Sequence, residues 1–329
     1  MSLSFYSGGN QPRVPTVVLI GAARSGKTII GNLLGSCQHV EHIDQPWLLE
    51  MLPIMAGEGI LSETLAIQMF QTYEYELWND RILMRHVNFR PADLSSIWRQ
   101  KTPQEIFTRL IGLYSRDDVR RYVRERCPTL VLTFTDALPF CDFFWKALPG
   151  CKLLHIVREG LEVALEVEQK RWLSDEELRH PLHPNLYRTY ANVSAIYHLP
   201  YWVERGLEKR FLVASEYARA LWYWRRLMEM ADTATKNRPD TQELRIVKLS
   251  DVLDRPRETI SSLIEFVGLT QTEVTEGLLA RIKHREKKVV PERVLDNVAR
   301  EELIAMRKIY QELDLPNQNI DMVLCGKVS

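Results

Sequence analysis

Residues 15 to 21, PTVVLIG, are apolar and β-branched with no polar alternation, which predicts a strand covered on both faces of a parallel sheet. The strand runs straight into Gly21-Ala22-Ala23-Arg24-Ser25-Gly26-Lys27-Thr28, and Ile29, Ile30, Leu33 and Leu34 follow at helical spacing. A glycine-rich turn between a buried strand and a helix aims main-chain N–H groups at one point, where the helix dipole is positive. A phosphate-like anion is held at such a point. Arg24 and Lys27 add two charges there, and the Ser25 and Thr28 hydroxyls add further donors.

The same strand grammar recurs downstream. TLVLTF (129 to 134) and KLLHIV (152 to 157) are strands, separated by about seventeen residues containing Leu138, Phe140, Phe143, Phe144 and Leu148, so they form a strand–helix–strand unit. A further strand, LRIVKL (244 to 249), precedes an amphipathic helix through Ile260, Leu263, Ile264, Phe266 and Val267 that stops at Gly268. Residues 44 to 126 and 160 to 235 read as long helical stretches rich in Leu, Trp, Tyr and Arg, suited to cover the sheet and build a substrate pocket. Within them Leu221, Trp224, Leu227 and Met228 share one helix face and belong in a core. These features predict an α/β fold of three layers, a central parallel sheet flanked by helices, with helical insertions forming an acceptor pocket. With no repeat and no obvious linker, the expected organisation is a flexible N-terminus over residues 1 to 14 and a single domain from 15 to 329.

Charge narrows the partners. Lys+Arg and Asp+Glu number 43 each, so the lopsided positive balance of a nucleic-acid binder is missing. The five cysteines, Cys37, Cys127, Cys141, Cys151 and Cys325, are widely spread without a C-x-x-C pair, which signals neither a disulfide framework nor a zinc site. Buried free thiols in a reducing compartment are expected. No run approaches the roughly 18 apolar residues of a membrane span, and the N-terminus lacks a secretory pattern. The expectation is a cytoplasmic protein acting on a small molecule, with its oligomeric state open.

Two kinds of phosphate loop fit residues 21 to 28. The pattern G-x-x-x-x-G-K-T is that of ATP- and GTP-using enzymes, and Asp136, just past the strand at 129 to 134, is then a magnesium-holding carboxylate of a kinase. The centre Arg24-Ser25-Gly26, with Thr28, instead resembles P-[RK]-S-G-T-T, the 5′-phosphosulfate loop of sulfotransferases that use 3′-phosphoadenosine 5′-phosphosulfate (PAPS). Ala23 replaces the proline and Lys27 a threonine. LLHIVREGLEVALEV (153 to 167) is similar to that family's 3′-phosphate segment, with Arg158 at the position of the arginine that grips the 3′-phosphate. Glu166 stands where the family has a phosphate-contacting serine. ALPFCDFFWKALPGCKLLHIVRE and VKLSDVLDRPRETISSLIEFVGL (247 to 269) resemble two further family segments, so four ordered matches span residues 17 to 269. The chain departs from the family at Phe134, where a lysine is frequent, and in having no evident C-terminal R-x-G loop, for which the basic run Lys283 to Lys288 is a possible substitute.

The resemblance implies sulfuryl transfer from PAPS, with adenosine 3′,5′-bisphosphate (PAP) as product, to a hydroxyl or amine of a small-molecule, sugar or lipid acceptor, and with no metal required. Ala23, Arg24, Ser25, Gly26, Lys27, Thr28 and Arg158 then bind the nucleotide. Arg24 and Lys27 also stabilise charge on the leaving group. The family's base lies on or beside the second strand, here QHVEHIDQPWLLE. That stretch offers His42, Asp44 and Glu50, with Gln45 aligned to a family glutamate, and His42 and Asp44 are the preferred candidates. RHVNFRPADLSSIWR (85 to 99) either lines the acceptor pocket or is an interhelical loop.

Overall fold

The computed structural model describes residues 14–182, 186–193, 195–236, 238, 243–282, 295 and 297–326. Five parallel strands make its main sheet: β1 (Thr16–Ile20), β2 (Val40–Asp44), β3 (Thr129–Phe134), β4 (Lys152–Val157) and β7 (Leu244–Lys248), in the order β2-β3-β1-β4-β7. Register brings the carboxyl ends together: Ile20 pairs with Phe134 on one side and His155 on the other, and Asp44 pairs with Thr133. In open parallel sheets ligands bind beyond that edge, and Gly21, Gln45, Thr135 and Arg158 are the residues that immediately follow or lie next to these strand ends.

Alternation along β1 explains its uninterrupted apolar run. Val17 and Leu19 pack into a core with Ile30, Leu33 and Leu34 of helix α1 (Lys27–Gly35) and with Ile260, Leu263 and Ile264 of the helix Pro256–Val267. Val18 and Ile20 point the other way, into a larger core that includes Phe70 of α3 (Glu63–Ile82), Phe144 and Trp224. Both faces are therefore covered, and the three layers follow. Leu221, Trp224, Leu227 and Met228 are all buried on the helix Glu216–Lys236, and Gly268 ends the helix before it in a left-handed conformation, the usual role of a glycine there.

One stretch departs from the expected helices. Within residues 160 to 235, Tyr187–Ala191 (β5) and Ile196–Pro200 (β6) pair antiparallel as a separate two-stranded ribbon. Tyr197 and Leu199 are buried while Ile196 is exposed, a period of two that a helix cannot satisfy. Residues 85 to 99 form an interhelical loop ending in a short 3-10 turn at Ile97–Arg99, and Asn32 of α1 donates to the Leu94 carbonyl within it. Cys37, Cys141 and Cys151 are buried free thiols, whereas Cys127 and Cys325 are exposed. Among the described residues no helix is long and apolar enough to cross a membrane. The N-terminal residues 1 to 13 and the basic run Lys283 to Lys288 lie outside the described residues.

Candidate active site

The phosphate loop has the backbone its sequence demands. Gly26 caps α1 at φ 95, a left-handed conformation, and a Cβ there would stand 2.6 Å from Leu249. Arg24 also has positive φ, at 64. A Cβ on Gly21 would stand 2.3 Å from the Ile156 carbonyl oxygen of β4, so only glycine permits the close approach of loop and sheet. No acidic side chain occupies the first turn of α1 and no side chain caps it, which leaves its leading N–H groups facing the loop.

Lys27 is folded back into this loop. Its Nζ donates to the main-chain oxygens of Gly21 at 2.8 Å and Ala22 at 2.6 Å. Burial pulls its pKa down to about 8, against the opposing charges of Glu50, Asp136 and Asp44. Arg24 reaches the opposite way: its Nε donates to Glu166 Oε2 at 2.7 Å, with the side chain still 41% exposed.

Arg158, the residue after β4, meets the loop from the side. Its Nη1 donates to the Arg24 carbonyl at 3.0 Å and to Glu166 Oε1 at 3.1 Å, and its Nε donates to Glu162 Oε2 at 2.8 Å. Glu166 thus joins the two arginines that the sequence assigns to the two ends of a nucleotide. Burial works to raise its pKa, but the hydrogen bond from Arg24 and the charges of Arg158 and Arg24 prevail and hold it at about 2. The carboxylate at the position of the family's serine is thus paired with both guanidiniums.

On the other side of the loop opens a cavity of about 320 Å³. Ala23 forms one edge; Gln45, Glu50, Thr135 and Asp136 come from segments just past β2 and β3; the walls are mostly apolar, with Trp47, Trp172, Tyr187, Trp202 and Tyr223 among them. Glu50 lies in α2 (Trp47–Gly57), and its Oε1 accepts from the main-chain N–H groups of both Thr135 and Asp136 at 2.5 Å. Burial and the nearby Asp136 carboxylate nevertheless raise its pKa to about 7, the range of a working general base. The Tyr223 hydroxyl donates to Asp136 Oδ1 at 3.0 Å and accepts from the Ala23 N–H at 2.8 Å, so one tyrosine ties the loop to the cavity.

The structure separates the two bases preferred from sequence. His42 is buried between β2 and α1, where a Cβ on Gly31 would stand 2.4 Å from the imidazole ring. Its ring nitrogens contact Thr133 Oγ1 at 2.9 Å and Gln100 Nε2 at 3.1 Å. Burial, aided by the charge of Arg81, lowers its pKa to about 3, and it does not line the cavity. Asp44 sits at the end of β2 beside the loop: its Oδ2 accepts from Thr28 at 3.4 Å, Oδ1 is buried without a hydrogen-bond partner, and burial raises its pKa. Phe134 is fully buried and stacked on Phe144 at 4.9 Å, so the strand end presents Thr135 and Asp136 where the family often has a lysine nearby. Glu50 was within the stretch singled out from sequence, but its closeness to Asp136, 86 residues away, is a product of folding.

A three-layer α/β fold with a glycine-rich loop at the carboxyl edge of its parallel sheet, and a largely apolar cavity beside that loop, is what these elements define. No protein-family profile matches the chain, and no curated protein matches it. Among solved structures it is similar to the sulfotransferase domain from the Synechococcus PCC 7002 olefin synthase, at 12% identity and a TM-score of 0.46, covering 95% of this chain and 99% of that one. A sulfotransferase from Mycobacterium avium matches at 12% identity and a TM-score of 0.46, covering 92% of this chain and 77% of that one. A sugar kinase from Janibacter sp. HTCC2649 matches at 11% identity and a TM-score of 0.28, over 78% and 96% of the two chains. At such distances the chemistry rests on the residues themselves.

Proposed function

We propose that the protein is a sulfotransferase that moves a sulfuryl group from PAPS to a hydroxyl or amine of a small molecule seated in the cavity. Arg158 carries this reading: it ends β4 and contacts the loop at the Arg24 carbonyl, supplying a second guanidinium that the G-x-x-x-x-G-K-T pattern does not include. The loop fits the 5′ end of the nucleotide, with Ala23, Arg24, Ser25, Gly26, Lys27 and Thr28 as its holders. Arg158 fits the 3′-phosphate once Glu166 gives way. Bound there, PAPS would supply the activated sulfuryl group. Arg24 and Lys27 then offset charge on the leaving phosphate oxygen, about 10² to 10³ in rate each if they act like other preorganised donors. Lys27 does so by exchanging its loop carbonyls for the nucleotide. Glu50 takes the proton of the acceptor, standing in for the glutamate that Gln45 replaces.

One observation favours a second reading, an ATP-using kinase: Asp44 lies against Thr28 with a buried oxygen that has no hydrogen-bond partner, beside a complete G-x-x-x-x-G-K-T. Calorimetry with PAP, and separately with ATP and magnesium, decides between them. Tight PAP binding with weak ATP binding is expected; the reverse ranking overturns the sulfotransferase.

A further inference from the structure

Arg158 is held by more than its carboxylate partners. The corner that follows β4, Arg158-Glu159-Gly160-Leu161, opens the helix Gly160–Gln169, and two aromatic side chains from distant parts of the chain fasten it. Trp224, on the helix Glu216–Lys236, donates its indole N–H to the Arg158 carbonyl at 3.1 Å. The Tyr310 hydroxyl, on the helix Arg300–Glu312, accepts from the Leu161 N–H at 3.0 Å across 149 residues of sequence. First-turn N–H groups have no acceptor inside their own helix, so this hydroxyl caps the helix from outside. The two rings meet edge to face with centroids 5.5 Å apart, and both residues are fully buried. Gly160 permits the approach, since a Cβ there would stand 2.6 Å from the Trp224 ring and 3.0 Å from Met306.

The capped helix also aims the guanidinium. Glu162 and Glu166, one turn apart on it, accept from Arg158 at 2.8 and 3.1 Å. Fixing the start of this helix therefore fixes both the main chain of Arg158 and the carboxylates that orient its side chain. Charged hydrogen bonds weaken steeply with misplacement, so what holds the holder matters to binding. We infer that Trp224 and Tyr310 are positioning residues for recognition of the nucleotide's 3′-phosphate, and that the helix Arg300–Glu312 thereby contributes to donor selection from the interior of the fold. The inference rests on the reading of Arg158 as the 3′-phosphate holder.

Calorimetry on the full chain with PAP and with adenosine 5′-monophosphate, which lacks only the 3′-phosphate, tests it through the ratio of the two affinities. The unmodified protein is expected to bind PAP about 10- to 100-fold more tightly. Tyr310→Phe keeps the ring and removes the capping hydroxyl; it should weaken PAP about three- to tenfold and leave the monophosphate within about twofold. Trp224→Phe, which removes the indole donor, should lower the ratio in the same direction. Because Trp224 is a core residue whose replacement can prevent folding, the ratio in Tyr310→Phe decides. A Tyr310→Phe protein that loses stability in urea but keeps the ratio of the unmodified protein overturns the inference and leaves Tyr310 a packing residue, and so does an equal loss for both nucleotides. If the unmodified protein binds the two nucleotides alike, the assignment of Arg158 to a 3′-phosphate falls and the inference falls with it. The ratio in the unmodified protein and its change in Tyr310→Phe thus report the two failures separately.

Discussion

Glu41 and Glu166 each hold two arginines, the first on the edge strand β2 and the second beside the phosphate loop. Glu41, near the start of β2, accepts from Arg109 at 2.8 Å and pairs with Arg81 at 3.8 Å, and all three side chains are buried. Arg109 also donates to the Arg81 and Ile82 carbonyls, and Arg81 to Gln100, while Arg81 Nε and Glu41 Oε2 face each other at 3.8 Å, buried and without a hydrogen-bond partner. Glu166 likewise bridges Arg24 and Arg158, but Arg24 remains 41% exposed and the cluster borders the phosphate loop. Enclosure makes the first cluster a fixture of the fold. In the second cluster Arg24 gives one arm a route to solvent, although Glu166 and Arg158 are themselves buried.

The largest effect should follow from breaking the sealed cluster. Glu41→Ala leaves two buried arginines uncompensated and should cost about 3–5 kcal/mol in urea unfolding. A loss under 1 kcal/mol would mean the cluster is open to solvent. A third carboxylate sharpens the contrast. Among the described residues of the cavity lining none is an arginine beside Glu50, and its pKa is raised to about 7 rather than lowered. Glu50→Gln should lower kcat by about 10² to 10⁴ with little change in PAP affinity. In the unmodified protein the rate should climb as pH rises through about 7, as Glu50 loses its proton; a rate independent of pH from 5 to 9 would remove Glu50 as base.

Within the open cluster the effects are smaller. Arg158→Ala should weaken PAP by about 10- to 100-fold, as expected for lost charged hydrogen bonds, and its 3′-dephosphorylated analogue only slightly. Equal weakening would detach Arg158 from the 3′-phosphate. The smallest change is Glu166→Gln, which should cost about 1 kcal/mol of stability for a partly exposed pair while tightening PAP severalfold. Looser PAP binding would make Glu166 a support of the site rather than a competitor within it. The native Glu166 pKa lies below its unfolded value, so its contribution is complete above about 4.5 and fades as pH falls toward about 2. Acid unfolding of Glu166→Gln should be correspondingly shallower over that interval.

Strands β1, β3 and β4 were legible because largely apolar runs belong to strands covered on both faces, and β7, an edge strand with Ile246 exposed, from the apolar residues on either side of Arg245. The loop was legible because its glycines answer to backbone geometry close by. Arg158 was singled out by the resemblance of residues 153 to 167 to the family's 3′-phosphate segment, and the structure places it directly after β4. Which of His42, Asp44 and Glu50 faces the cavity was not legible: on β2, His42 and Asp44 share a face by parity, and only the packing of α1 shows that the imidazole, two residues back from the strand end, is covered. Glu50, offered by the same stretch, is distinguished only when α2 meets the turn after β3, a contact across 85 residues. The β5–β6 ribbon escaped notice because its first strand, Tyr187–Ala191, is half-buried at most and carries Arg188 and Thr189 among its aromatics. The alternation in Ile196–Pro200 was the one available signal.

The cavity draws its lining from two sources. Ala23, Gln45, Thr135 and Asp136 follow the sheet, but Trp172, Glu177, Tyr187 and Trp202 belong to the chain between the helices Gly160–Gln169 and Glu216–Lys236. That span contributes none of the residues assigned to the nucleotide. Changes confined to the 46 residues from 170 to 215 can therefore reshape part of the cavity wall without touching the glycine-rich loop or Arg158.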